Sequence, residues 1–371
     1  MLEVDEARNQ MWLLYRGVGD IAMAKKPLTG GAWTTEVVVP DAIYELADGG
    51  NHVTWHLSMA LDSKGYPHFA SVWDQDGDNM KIGMGYFSWN GTSWDKEMAV
   101  TALEKLDPAQ ADAFPYYSWE GVNVSVTLDK NDVPHITYYR NLATTAARHN
   151  GGIWYATKSG ATWTNTKITD DIGDINQPVG FDRAGLSSAW NSAGTQLMVR
   201  FVTHEGGSGS VKYALKSETG WTIGTIDDEY AAYTWDRGSE SILVFAGGKW
   251  MTSFHAEYGT NNLYFATFDG SKWTRELVDE KGFGEYSALY VAPDGKKYIT
   301  YRGQMNTLRF AWNEGSGWNV TELGIETEDE QVRLGDPGQT QVYVDGSGVA
   351  HVAFYDGYKK VMDYWTAALA E

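Results

Sequence analysis

The chain of 371 residues carries 29 basic against 49 acidic side chains, a formal charge of −20 at pH 7, and such a polyanion repels nucleic-acid phosphates and anionic membrane surfaces. Its length exceeds what one ordinary hydrophobic core serves, so two domains or a repeat must account for it. The lack of cysteine excludes disulfides, thiolate nucleophiles and Cys-ligated metals, and no run approaches the ~20 apolar residues of a membrane span.

The 41 glycines, 17 tryptophans and 22 tyrosines suit many short, twisted strands joined by tight turns. The opening segment MLEVDEARNQ has neither a basic nor an apolar stretch, so the expectation is a cytoplasmic chain or one whose signal peptide has been removed. Next come three alternating runs, QMWLLYRG, DIAMAKK and AWTTEVVV, which predict strands. The connection ADGGNHVTWHLS then brings His52, Trp55 and His56 to the start of a second unit.

From here a repeat of roughly 50 residues governs the chain. A Gly-bearing turn, a Trp and an alternating strand recur around Trp33, Trp94, Trp163, Trp221, Trp273 and Trp318. Short aromatic strands such as GIWYATKSG and NLYFATFDG precede most copies and form a hairpin with them. Two further strands come earlier, joined by an Asp or Gly turn: LSMALDSKGYPHFASVW, VSVTLDKNDVPHITYYR, SALYVAPDGKKYITYR and TQVYVDGSGVAHVAFYD. The unit is four antiparallel strands, a to d. It cannot bury both faces alone, and radial stacking of such units is the propeller solution.

The expected fold is therefore all-β, a β-propeller of four-stranded antiparallel blades in a single domain, 1–371. Five blades are complete between about residue 52 and residue 324. The N-terminal piece offers strands b, c and d, the C-terminal piece a, b and c. Merging them gives six blades with a ring closed by both termini. Seven is preferred, because each piece has its own b strand. The tryptophans read as packing between blades, and His68, His135 and His351, at matching places in PHF, PHI and AHV, as satisfied core residues.

In such a blade the b–c and d–a connections share one end, and here they vary in length and are rich in aromatic and ionisable residues. The longest d–a connection carries Tyr116, Tyr117, Trp119 and Glu120, and DDEYAAYTWDRGSES carries Tyr230, Tyr233, Trp235, Asp236 and Arg237. Such aromatic planes suit sugar rings. Arg16, Arg140 and Arg302 end b strands and offer bidentate partners for a carboxylate; pairing with a neighbouring blade's acid is the other reading. In WDQDGDN, Asp74, Asp76 and Asp78 alternate as in Ca²⁺ loops, although Gly85 stands where the bidentate Glu belongs; a solvated turn is the alternative.

The turns NGTSW and DGSKW resemble degenerate Asp-box (BNR) repeats of sialidase-like propellers, and GGNHVTWHLSMALDSKGYPHFASVW resembles a BNR-4 type repeat. That resemblance implies a propeller and a glycan substrate. Polysaccharide lyases among BNR-4 proteins use His, Tyr and Arg, which marks His52, His56 and His68, while Asp74 stands where such repeats carry a further His.

The expected function is recognition of an acidic glycan by a secreted or cell-surface monomer, through Arg16, His52, Trp55, His56, Trp119, Trp235 and Arg237. The alternative on the same end is a uronate lyase or glycoside hydrolase. Arg or His would neutralise the uronate, and Tyr or His would move the proton, from a pool of Tyr139, Arg140, His204, His255, Arg302 and Tyr355. Hydrolysis would need paired carboxylates such as Glu205, Glu257, Asp236 and Asp356. A protein-interaction scaffold is the third reading.

Overall fold

The computed structural model describes residues 1–17, 20–40, 44–45, 51–52, 57–74, 82–100, 120–140, 152–170, 185–205, 208–227, 241–256, 262–280, 284–304, 307–323, 325–327, 330–331, 340–356 and 361–369. The chain forms two compact units, Glu3–Asp182 and Arg183–Glu371.

Three four-stranded antiparallel sheets build the first unit, each in the simple order a-b-c-d. They are Leu2–Asp5, Gln10–Arg16, Ile21–Pro27 and Thr34–Val39; Ser58–Leu61, Pro67–Asp74, Ile82–Trp89 and Trp94–Val100; and Glu120–Leu128, Pro134–Arg140, Gly152–Ser159 and Thr162–Thr169. A short ladder pairs Tyr44–Glu45 with Asn51–His52.

The second unit repeats the plan. Its fourth sheet is Ser187–Trp190, Leu197–Glu205, Ser208–Ser217 and Gly220–Asp227, and its fifth Leu243–Ala246, Lys249–Ala256, Asn262–Phe268 and Trp273–Asp279. The sixth is Glu285–Val291, Lys297–Arg302, Leu308–Asn313 and Trp318–Leu323; the seventh has three described strands, Thr340–Val344, Val349–Asp356 and Val361–Ala368. The short strands Ile325–Thr327 and Glu330–Gln331 pair with each other. The fold class is the expected one, an all-β propeller of seven blades.

The first sheet departs from expectation, because it owns an a strand, Leu2–Asp5, and is complete. Four residues are too few for a legible alternation. What fixes them is the following turn, where Asp5 accepts from the Arg8 backbone N–H at 3.1 Å and pairs with the Arg8 guanidinium at 2.7 Å. Trp33 likewise sits just ahead of its strand, whereas the other five repeat tryptophans lie within theirs.

The repeated hairpin is explained by its turn chemistry. Asn90 Oδ1 accepts from the N–H groups of Thr92 and Ser93, both at 3.0 Å, and Asp269 Oδ1 accepts from those of Ser271 and Lys272, both at 2.9 Å. A short Asn or Asp side chain thus closes the c–d turn. Backbone donors draw the exposed Asp269 carboxyl down to about 2.

Three of the tryptophans reach the third strand of the preceding sheet. Trp163 meets Tyr86 at 5.2 Å between ring centroids, Trp273 meets Tyr213 at 5.9 Å and Trp318 meets Phe265 at 5.4 Å. Trp94 donates its indole N–H to Glu36 of the first sheet at 3.0 Å. Such aromatic pairs contribute about 0.5–1.5 kcal/mol beyond their buried area, so Trp94, Trp163, Trp273 and Trp318 pack between sheets, as expected.

Inner strands are joined by hydroxyls. Ser58 Oγ accepts from Val126 N–H at 2.8 Å, and Ser187 Oγ from Leu243 N–H at 2.9 Å. A buried N–H that would otherwise lack a partner is satisfied by the next sheet.

The repeated histidines also take structural places. His135 Nδ1 meets Tyr155 Oη at 2.5 Å, His351 Nδ1 meets Tyr364 Oη at 2.5 Å, and His68 Nδ1 bonds Tyr86 Oη. The Nε2 sides face Asp129 at 3.8 Å, Asp345 at 3.1 Å and Asp62 at 3.6 Å. Each Asp in turn accepts backbone N–H groups of its own a–b turn, as Asp129 does from Asn131 and Val133. An Asp–His–Tyr triad therefore ties turn, strand b and strand c in the second, third and seventh sheets.

Candidate functional site

The strand plan places the last residue of every b strand at the b–c connection. In the first unit these are Arg16, Asp74 and Arg140; in the second, Glu205, Ala256, Arg302 and Asp356. Six of these seven positions carry a charged residue, where the preceding b-strand residues are mostly buried and apolar. Of those whose side chains are described, Arg16 and Arg302 are half-buried and Asp356 is buried, each with its backbone fixed by the ladder.

Arg16 lies across from Ile21 and is half-buried. Arg140 lies across from Glu120 and Gly152. Arg302 lies across from Glu285 and Leu308, its guanidinium 5.7 Å from the centre of the Tyr286 ring. Asp74 ends its strand opposite Ile82, and His52 pairs with Tyr44 in the short ladder. His204 stands opposite Gly209 near the end of the fourth sheet's b strand. Each of the three arginines thus keeps the strand-end position expected of it.

Two members of the catalytic pool are deeply buried. Tyr139 is 5 % exposed and His255 2 % exposed, and burial pushes the Tyr139 phenol far above its ordinary range. A phenol so disfavoured as phenolate is a poor general base near neutral pH. Tyr355, opposite Met362, is half-buried beside the buried Asp356. Trp55, His56, Trp119, Trp235, Arg237, Asp76 and Asp78 lie outside the described residues, as do the side chains of His52, Asp74, Arg140 and His204. Among the described residues no group of three or more His, Asp or Glu is arranged to hold a metal.

The structure adds residues that sequence reasoning did not single out. Arg200 is completely buried in the fourth sheet's b strand and donates to the Gly185 carbonyl at 2.6 Å; burial lowers its affinity for its proton. Its only sequence signal is a guanidinium inside LMVRFV. Asp227 accepts from Arg275 at 2.9 Å, and that guanidinium lies 4.8 Å from the centre of the Tyr264 ring. Asp279 receives the Tyr301 hydroxyl at 2.6 Å and pairs with Arg309. In both pairs the carboxylate is the last residue of a d strand.

Tyr286 is the least expected of them. Its φ is +54°, and it is 7 % exposed. For a bulky side chain that left-handed backbone costs on the order of 1–3 kcal/mol and persists only where its surroundings over-determine it. No pattern of residue types announces it.

No family model matches this chain, and no curated protein does. Solved structures do match it. A triple arginine-to-alanine mutant of AofleA from Arthrobotrys oligospora is 12 % identical, with a TM-score of 0.50, over 86 % of this chain and 84 % of that one. A fungal lectin from Aleuria aurantia, described as a six-bladed β-propeller, is 13 % identical with a TM-score of 0.48 over 86 % and 92 %. A polysaccharide lyase, Uly1, is 11 % identical with a TM-score of 0.48 over 87 % and 83 %. At such identities the likeness speaks to fold alone.

Proposed function

We propose that the chain is a secreted or cell-surface protein that recognises an acidic glycan through the b–c ends of its sheets. The observation that carries this reading is the recurrence of Arg16, Arg140 and Arg302 as the last residues of b strands in a chain whose formal charge is −20. A guanidinium at a rigid strand end is a planar, permanently charged donor suited to a carboxylate. An overall acidic surface leaves such points as local exceptions, which favours a ligand carrying isolated carboxylates over a dense polyphosphate.

Binding is favoured over turnover by the burial of Tyr139 and His255, two of the proton-transfer candidates. The Asp and Asn turns at Asp269 and Asn90 support reading the hairpins as degenerate Asp boxes. A glycan array run beside a uronate-lyase assay tests the reading. Retention of uronate-bearing glycans, weakened about ten-fold in Arg140→Gln or Arg302→Gln, without growth of ultraviolet absorbance, is the expected result. Failure to retain any acidic glycan would sink it. Absorbance growth abolished by His255→Ala would replace it with a lyase.

A further inference from the structure

In six sheets the c strand is followed by a paired d strand. In the seventh, among the described residues, Val361–Ala368 is the outermost strand, and none of its residues is buried, whereas the c strands Gly152–Ser159, Asn262–Phe268 and Leu308–Asn313 are largely so. Its pairing with Val349–Asp356 runs without a register shift, and one step beyond it the Leu369 N–H donates to the Gly348 carbonyl at 3.0 Å. Successive residues of an antiparallel strand direct their backbone groups to opposite sides. Met362, Tyr364, Thr366 and Ala368 therefore turn theirs away from b, toward the edge. At Tyr364 that N–H donates to the Asp363 carboxylate of the same strand at 2.8 Å, a local bond in the direction a ladder would take.

Packing toward the sixth sheet does not wait for a d strand. Where the third to sixth sheets have Ala156, Ala214, Ala266 and Ala311, the seventh has Trp365. This indole packs against the cluster that holds Phe310, the counterpart of the rings that Trp163, Trp273 and Trp318 meet. The anchoring Trp of a d strand is thus supplied by c itself. What stays open is a ladder edge, and such edges pair with extended chains.

Charge selects the occupant. The place of Asp363 is held in the sixth sheet by Arg309, whose cross-strand partner in d is Glu322, 3.9 Å from the guanidinium. In the third sheet Trp154 holds that place, and the ammonium of Lys167, its partner in d, lies 5.8 Å from the ring centre. At this register the d strand answers what c presents, and the answer to an aspartate is Lys or Arg. A second copy is disfavoured, because it brings a further charge of −20 and sets like carboxylates along one edge. We propose that the open edge of Val361–Ala368 takes an extended basic segment of another protein as the fourth strand of the seventh sheet, with Lys or Arg across from Asp363. The inference concerns a sheet edge and is independent of the glycan reading of the b–c ends.

The probe is a fluorescently labelled peptide with the sequence of residues 315–324, carrying Glu322→Arg and also Trp318→Thr, since Trp365 already fills the indole's place; the control peptide keeps Glu322. Anisotropy with the full chain is expected to show the Arg peptide binding about ten-fold more tightly than the Glu peptide, and amide exchange at Met362, Thr366 and Ala368 to slow on binding. Asp363→Lys, with its melting temperature unchanged, inverts the preference. Two further peptides leave the protein untouched, so the test survives a variant that fails to fold. N-methylation of the Arg peptide at the Thr321 position, whose N–H faces the edge, abolishes binding, while N-methylation at the Val320 position, whose N–H faces away, does not. No binding of the Arg peptide, equal affinity of the two N-methyl peptides, or a preference for Arg that survives Asp363→Lys would overturn the proposal. A chain that sediments as a dimer and is split by the Arg peptide would give the edge to a second copy and overturn it as well.

Discussion

At Arg200 a guanidinium is enclosed where the corresponding b-strand positions carry Ala70, Thr137, Ser253, Thr300 and Ala353. Such a group is stabilising only through the partners it keeps, and removing it leaves both a cavity and a carbonyl without its donor. Arg200→Ala is therefore expected to cost on the order of 3 kcal/mol in urea unfolding, and Arg200→Met, which refills the volume with apolar atoms, less than half of that. Equal losses in the two variants would show that charge, not space, is what matters there. This residue and Tyr286 were illegible beforehand for different reasons. Arg200 breaks an apolar pattern but says nothing about what surrounds it, and a φ angle leaves no trace in residue type. The strand-end arginines were legible because the ladder period and the YR segments locate them together.

The hairpins were the most legible elements, since turn residue, Trp and alternation agree within each copy. The a strands were less so. Leu2–Asp5, Ser187–Trp190 and Leu243–Ala246 are four residues each, too short for period 2 to stand out, and the last turns through Gly247 and Gly248, both at positive φ. The Asp62–His68–Tyr86 triad gives the second sheet a pH response. Burial holds His68 below its ordinary value against the pull of Asp62, while burial raises Tyr155 and Tyr364 each to about 12, so both stay protonated donors. Burial works to raise Asp129, but its backbone donors, His135 and the Asn131 side chain outweigh it and hold it below the usual carboxylate range. A histidine depressed in the fold contributes fully above its unfolded value, about 6.5, and loses that contribution as pH falls below it. Depressed carboxylates add a later loss in the same direction. The urea midpoint should accordingly fall between about pH 7.5 and about pH 5.5, and His68→Met/Tyr86→Phe, which copies the Met251 and Phe265 of the fifth sheet, should flatten that decline. An unchanged slope in the double variant would assign the response elsewhere.

Over the whole chain the charge of −20 opposes the approach of the ligand proposed for it. Association with an acidic oligosaccharide should therefore quicken as salt rises from about 10 mM to about 150 mM, because screening shortens the Debye length from about 30 Å to about 8 Å and relieves long-range repulsion. A monotonic slowing, measured by stopped-flow fluorescence, would point to a cationic face dominating encounter. Fold class and blade number were legible at this scale from repetition alone; the glycan was not, because its chemistry is read by connections whose composition is visible and whose geometry is not. The unequal distribution of the triads among the sheets carries one more implication, for descent. Where the second sheet has Asp62, His68 and Tyr86, the sixth has Ala292, Tyr298 and Phe310 at matching places. Deleting the His leaves the enclosed Tyr hydroxyl without its partner, and deleting the Tyr does the same to the His, while exchanging the set together avoids both losses. Lineages would cross between the two solutions rarely and in coordinated steps, so which sheets retain the polar set should persist as a signature of ancestry long after the rest of the alignment has drifted beyond recognition.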